Sequence, residues 1–116
     1  MKIALDAMGG DFAPDSTVQG AILASRELPK DCRLVLIGDS GLIESKLNEF
    51  GSSHDNLEIV NAPDVIEMGE HPTKAFSTKP NASIPVGYSL LKSGEIDAFS
   101  GAGNAGAMHV GAMFTI

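Results

Sequence analysis

Tryptophan is absent from this 116-residue chain, cysteine and tyrosine each occur once, and only eight side chains are basic. Each shortage excludes a class of protein. A lone Cys32 cannot close an internal disulfide, and its place beside an apolar run suits a buried structural thiol in a reducing compartment. Eight Lys and Arg, scattered along the chain against fifteen Asp and Glu, leave a net charge of −7 and no basic patch for a nucleic acid. His54, His71 and His109 lack metal-ligand spacing and have no cysteine cluster beside them, so no metal is expected. Gly38-Asp39-Ser40-Gly41 lacks the Gly-Lys-Ser/Thr ending of a P-loop, and no G-x-S-x-G elbow occurs. Nucleotide hydrolysis and a serine nucleophile are thereby removed.

What is present is an ordinary globular composition, 43% hydrophobic and 20% charged, at a length that suits one domain. Asp6 interrupts the apolar start of the chain before it reaches the length of a signal-peptide core, so no export signal is expected and a cytoplasmic location is. Ala98 to Ile116 carries no Asp, Glu, Lys or Arg. Asn104, His109 and four glycines nevertheless oppose a membrane span there, and burial is the expectation.

Short apolar runs predict strands at Lys2–Asp6, Arg33–Ile37, Leu57–Val60 and Ile96–Ser100. Between them, Ser16-Thr17-Val18-Gln19 has the spacing of a capping box for a helix with Val18, Ala21, Ile22 and Ser25 on one stripe. A second helix follows an N-cap in Gly38-Asp39-Ser40, with Ile43, Leu47 and Phe50 inward and Gly51 as its stop. Residues 65–79 are polar and irregular, with one short helix from Thr73, as befits a functional loop. Asn81–Ser93 reads as a helix stopped by Gly94, and an apolar helix follows Gly106 to Ile116.

Alternating strands and helices imply a parallel sheet with helices on both faces, whose ligands bind beyond the carboxyl ends of the strands. Two glycine-rich loops, 7–13 and 101–106, fall there. Gly101-x-Gly103-x-x-Gly106 has dinucleotide-fingerprint spacing, but it follows the fourth strand, and the expected acidic residue about twenty positions on lies past residue 116. More generally, small residues let backbone N–H groups approach an anion near a helix start, so phosphate or pyrophosphate is the expected guest. The same glycines also suit a tight turn and close helix packing. Gly9 and Gly10 permit positive φ and present Asp6 and Asp11 near the rim, where an Asx-turn or a backbone cap is the plainer role. Lys79, and less so Lys74, offers a cation to a bound anion or simply a solvated surface charge.

Read together, Met1-Lys2-Ile3-Ala4-Leu5-Asp6-Ala7-Met8-Gly9-Gly10-Asp11-x-x-Pro14, Lys79-x-x-x-Ser83-Ile84, and Asp97-Ala98-Phe99 leading to Ala102-Gly103-Asn104-x-Gly106-Ala107-Met108 resemble the amino-terminal part of the phosphate acyltransferases, the PlsX family. The resemblance covers essentially the whole chain. It implies a bacterial enzyme that moves a fatty acyl group from acyl carrier protein to inorganic phosphate, giving acyl phosphate for phospholipid synthesis. It further implies a Rossmann-like fold similar to isocitrate and isopropylmalate dehydrogenases, a cytosolic homodimer loosely attached to the membrane through parts outside this chain, and no metal or nucleotide cofactor.

By position, the resemblance makes Asn104, Asp11 and Lys79 the candidate catalytic residues. Asn104 would bond phosphate or the developing oxyanion, and Lys79 would balance phosphate charge. Asp6, Gly9, Gly10, Gly103 and Gly106 would line the phosphate and acyl site. Gly101 and Ala105 depart from the Ser and Thr common in the family, and Ser77-Thr78-Lys79-Pro80 is less basic than usual there, so weaker phosphate binding is expected. Residues 1–116 are then an amino-terminal portion of a larger α/β enzyme, inactive alone. The alternatives are a dinucleotide-dependent dehydrogenase, or a stand-alone anion-binding module in which 1–116 is a complete α/β domain.

Overall fold

Four parallel strands, β1 (Lys2–Asp6), β2 (Arg33–Gly38), β3 (Leu57–Asn61) and β4 (Ala98–Ser100), form one sheet in the order β3-β2-β1-β4. They are seen in a computed structural model that describes residues 1–51, 55–67 and 69–115. Ala4 in the central β1 stands opposite Val35 on one side and Phe99 on the other. Residues Leu34 to Gly38 of β2 are all buried, because helices cover both of its faces.

On one face, α1 (Asp15–Glu27) and α2 (Ser40–Glu49) set Val18, Ile22, Ile43 and Leu47 against Leu34, Leu36 and Leu57. On the other, α4 (Ser83–Ser93) brings Val86, Leu90 and Leu91 onto Ala4, Val35 and Ile37. The shorter α3 (Pro72–Thr78) and α5 (Ala105–Thr115) pack beside α4 in a cluster around Ile84, Tyr88 and Ala107. Tyr88 meets Phe99 edge-on, with ring centroids 5.3 Å apart, and donates to the Met108 carbonyl at 2.8 Å. The expected α/β layering is therefore present, and Cys32 is buried as expected.

Several boundaries differ from the expectation for local reasons. The capping box does not form: α1 begins at Asp15 after Pro14, so Ser16 lies inside the helix rather than at its N-cap and Pro14 supplies no side-chain cap; the Thr17 hydroxyl donates to the carbonyls of Ala7 and Pro14 at 2.6 and 3.0 Å. Helix α4 begins at Ser83, two residues late, since Ala82 is extended and bridges Asp64. Strand β4 begins at Ala98 because Asp97 turns onto Lys2: its N–H donates to the Lys2 carbonyl and its carboxylate accepts from the Lys2 N–H, both at 2.7 Å. Helix α3 starts one residue early, with Pro72 in its first turn. Asp39 does cap α2, accepting from the Leu42 N–H at 3.1 Å, and Gly94 ends α4 at φ 82°. Among the described residues no helix is long and apolar enough to cross a membrane. His54 and Ile116 lie outside the described residues.

Candidate functional site

The strand order reverses at β1: the chain first moves outward to β2 and β3, then returns to place β4 on the other side of β1. A reversal of this kind opens a crevice beyond the carboxyl ends of the two strands concerned. Loop 7–13 leaves β1 and loop 101–106 leaves β4 at that point, so the two glycine loops are neighbours. A Cβ on Gly9 would lie 2.8 Å from the Gly103 nitrogen and 3.0 Å from its Cα, and Gly10, at φ +107°, abuts Ala102. Only glycine permits the first approach and the second backbone conformation. Among the described residues, the N–H groups of Gly10, Ala102 and Gly103 meet no protein acceptor, which leaves three donors where the loops meet.

Beneath the loops lies the Asp6 carboxyl, the last side chain of β1 and only 2% exposed. One oxygen, Oδ1, accepts from the Met8 N–H at 3.0 Å and from the Ser83 hydroxyl at 2.5 Å. The other, Oδ2, is 2.7 Å from the Cβ position of Gly9 and 3.2 Å from that of Gly103. Burial raises its pKa above the ordinary 3.8, and the donors at Ser83, Met8 and Gly9 oppose that rise.

Around this centre the remaining candidates take structural partners. Asn104 precedes α5 and is 4% exposed; its Oδ1 accepts from the Ala107 N–H at 3.0 Å, as an N-cap does. Its Nδ2 donates to the carbonyls of Glu67 and Glu70 at 3.1 and 3.0 Å, tying the irregular loop down. A direct bond from Asn104 to an anion requires it to exchange one of these partners. Lys79 clips the same loop from the other side, donating to the Val65 carbonyl at 2.8 Å and pairing with Glu70 at 2.5 Å. Gly106 lies against Pro72, where a Cβ would come within 2.3 Å of Cγ, so its smallness serves the seating of α5 on α3. Asp11 and Lys74 are exposed and join none of these contacts. The structure thus brings Asp6, Gly9, Gly10 and Gly103 together and continues through Asn104 into α5, with Lys79 at the edge of the irregular loop that Asn104 ties down, a strap over the site's flank.

A family model described as fatty acid synthesis protein matches residues 1–116. The chain belongs to this family. It is 45% identical over 116 residues to a phosphate acyltransferase of Herpetosiphon aurantiacus, covering all of this chain and 31% of the relative. With the phosphate acyltransferase of Clostridioides difficile it shares 40% over 116 residues, all of this chain and 34% of the relative. With that of Endomicrobium trichonymphae it shares 43% over 118 residues, 98% of this chain and 34% of the relative. The chain spans about a third of the length of the curated relatives it matches.

Within this member of the fatty acid synthesis protein family, Ser83 is the site residue that residue-type reasoning passes over. A serine at a helix start carries no local signal of the buried carboxylate it meets. The Glu70–Lys79 pair, nine positions apart with α3 between them, likewise leaves no local signal. The Lys79 ammonium, with help from the Glu67 N–H, holds the Glu70 carboxyl below its ordinary 4.5. A carboxyl with a depressed folded pKa stabilises above its unfolded pKa and loses that contribution as pH falls through the folded value. The thermal midpoint of Glu70→Gln is therefore expected below wild type at pH 7, with the two converging in acid below 4.5. A gap that persists in acid assigns the effect to packing instead.

Proposed function

We propose that the chain contributes the phosphate site of a phosphate acyltransferase that transfers a fatty acyl group from acyl carrier protein to inorganic phosphate. The observation that carries this is the cluster of N–H groups of Gly10, Ala102 and Gly103 at the β1/β4 crevice, together with relatives named phosphate acyltransferase. In the reaction, a phosphate oxygen attacks the thioester carbonyl, a C–O bond forms and the C–S bond breaks. The phosphate proton passes to the departing thiolate, giving acyl phosphate and the carrier thiol. Such a site must hold one anion and stabilise a second that develops on the carbonyl oxygen, and backbone donors at glycine loops suit both tasks.

In this reading Gly9, Gly10 and Gly103 shape the donor loops, Asp6 braces them from beneath rather than at their rim, Asp11 lies on the exposed rim, and Gly106 seats α5 beside them. Asn104 fixes the start of α5 beside the anion. Lys79 balances phosphate charge by exchanging Glu70 for it. The sheet is the Rossmann-like half of a fold similar to isocitrate and isopropylmalate dehydrogenases, in a cytoplasmic homodimer that meets the membrane through other segments. Titrating the isotopically labelled chain with inorganic phosphate tests the site. Saturable amide shifts are expected at Gly10, Ala102 and Gly103, and saturation centred on the exposed Arg26 and Lys30 instead overturns the assignment.

A further inference from the structure

Asp6 and Ser83 stand 77 positions apart and share a buried hydrogen bond. Ser83 is 4% exposed and opens α4, whose N-cap residue Ala82 supplies no side-chain cap. The Asp6 carboxylate thus lies at a helix start, where the partial positive charge and the Ser83 hydroxyl both favour its charged form against the cost of burial. With Oδ1 held by the Met8 N–H and Ser83 Oγ, the carboxylate is fixed in rotation, and Oδ2 stays wedged between Gly9 and Gly103. The carboxylate touches loop 7–13, loop 101–106 and α4 at once.

We propose that Ser83 is a positioning residue for the anion site: its hydroxyl locks Asp6 in the orientation that sets the spacing of the two glycine loops. The inference rests on, and deepens, the reading of those loops as a phosphate site. It makes the charge of one buried carboxylate and the spacing of the donors a single variable. The groups facing Asp6 are the Ser83 hydroxyl from α4, the N–H groups of Met8 and Gly9, and the glycines of loop 101–106. No charged side chain among the described residues perturbs it, so its titration reports on these neutral donors.

The test combines a carbon-13 titration of the Asp6 carboxyl with the phosphate titration above, on the full chain. A hydrogen bond to a charged group is worth enough to move a pKa by about one unit, and a comparable loss in binding is roughly tenfold. Ser83→Ala is expected to raise the Asp6 midpoint by about one pH unit and weaken phosphate binding roughly tenfold. In the Asp6→Ala background, which has no side-chain acceptor, the same change is expected to leave phosphate binding where it was, because the coupled partner is gone. An unmoved Asp6 midpoint in Ser83→Ala, or an equal loss of phosphate binding in both backgrounds, overturns the proposal. Should the variants fail to fold, wild type decides: the amides of Ser83, Gly9 and Gly103 are expected to titrate with Asp6, and amides that ignore its midpoint refute the clasp. A chain that binds no phosphate but passes the carboxyl test refutes the phosphate reading alone.

Discussion

Replacing Gly9 with alanine is expected to lower stability by about 1–3 kcal/mol, the usual cost of overpacking, and to abolish saturable phosphate shifts at Gly103. The new methyl would sit 2.7 Å from Asp6 Oδ2 and 2.8 Å from the Gly103 nitrogen. The first contact cannot be relieved by rotating Asp6, whose other oxygen is held by Met8 and Ser83. The second is backbone, so the loops must part. Urea unfolding of the variant measures the first effect and amide titration the second. Gly20 supplies a control of opposite sign. It lies in α1 with nothing within 4 Å of its Cβ position, so Gly20→Ala is expected to stabilise by about 0.5–1 kcal/mol through helix propensity alone. A stable and phosphate-competent Gly9→Ala chain contradicts the loop contact as the basis of the site.

Asn104→Ala is expected to cost about 2–4 kcal/mol in the same unfolding measurement, combining a lost N-cap with two lost tethers. One side chain serves three backbone groups: the Ala107 N–H, and the carbonyls of Glu67 and Glu70. Asn104→Ser separates the contributions, since a serine hydroxyl still caps the helix while reaching neither carbonyl. Its loss of stability should fall between wild type and alanine, and amide exchange at Glu67 and Glu70 should accelerate in both variants. If serine and alanine behave alike and the strap stays protected, Asn104 does not hold it.

Much of this architecture was legible. Short apolar runs marked all four strands, most plainly β2, because a strand covered on both faces needs little but apolar side chains. The glycine loops were legible as well, since Gly9-Gly10 and Gly103 report close approach whatever the partner. What the chain does not display locally is the partner itself. Nothing near Ser83 tells of Asp6, nothing near Asn104 tells of Glu67 and Glu70, and nothing near Thr17 tells of the Ala7 carbonyl to which its hydroxyl donates. Local pattern reports the period of an element. The sheet order, which brings the first and fourth strands together, is set by packing between segments that no single window contains.

That order has a consequence for synthesis. β1 is paired on both sides, but during translation one of its two edges stays bare until Ala98–Ser100 has emerged and docked. A nascent chain that ends in α4 therefore displays the backbone of Ile3, Ala4 and Leu5 as an open template for pairing with another chain, the situation folded proteins guard against. The docking of three residues removes that hazard, and in the same motion it carries loop 101–106 to loop 7–13. Protection from mispairing and assembly of the donor cluster are thus one event.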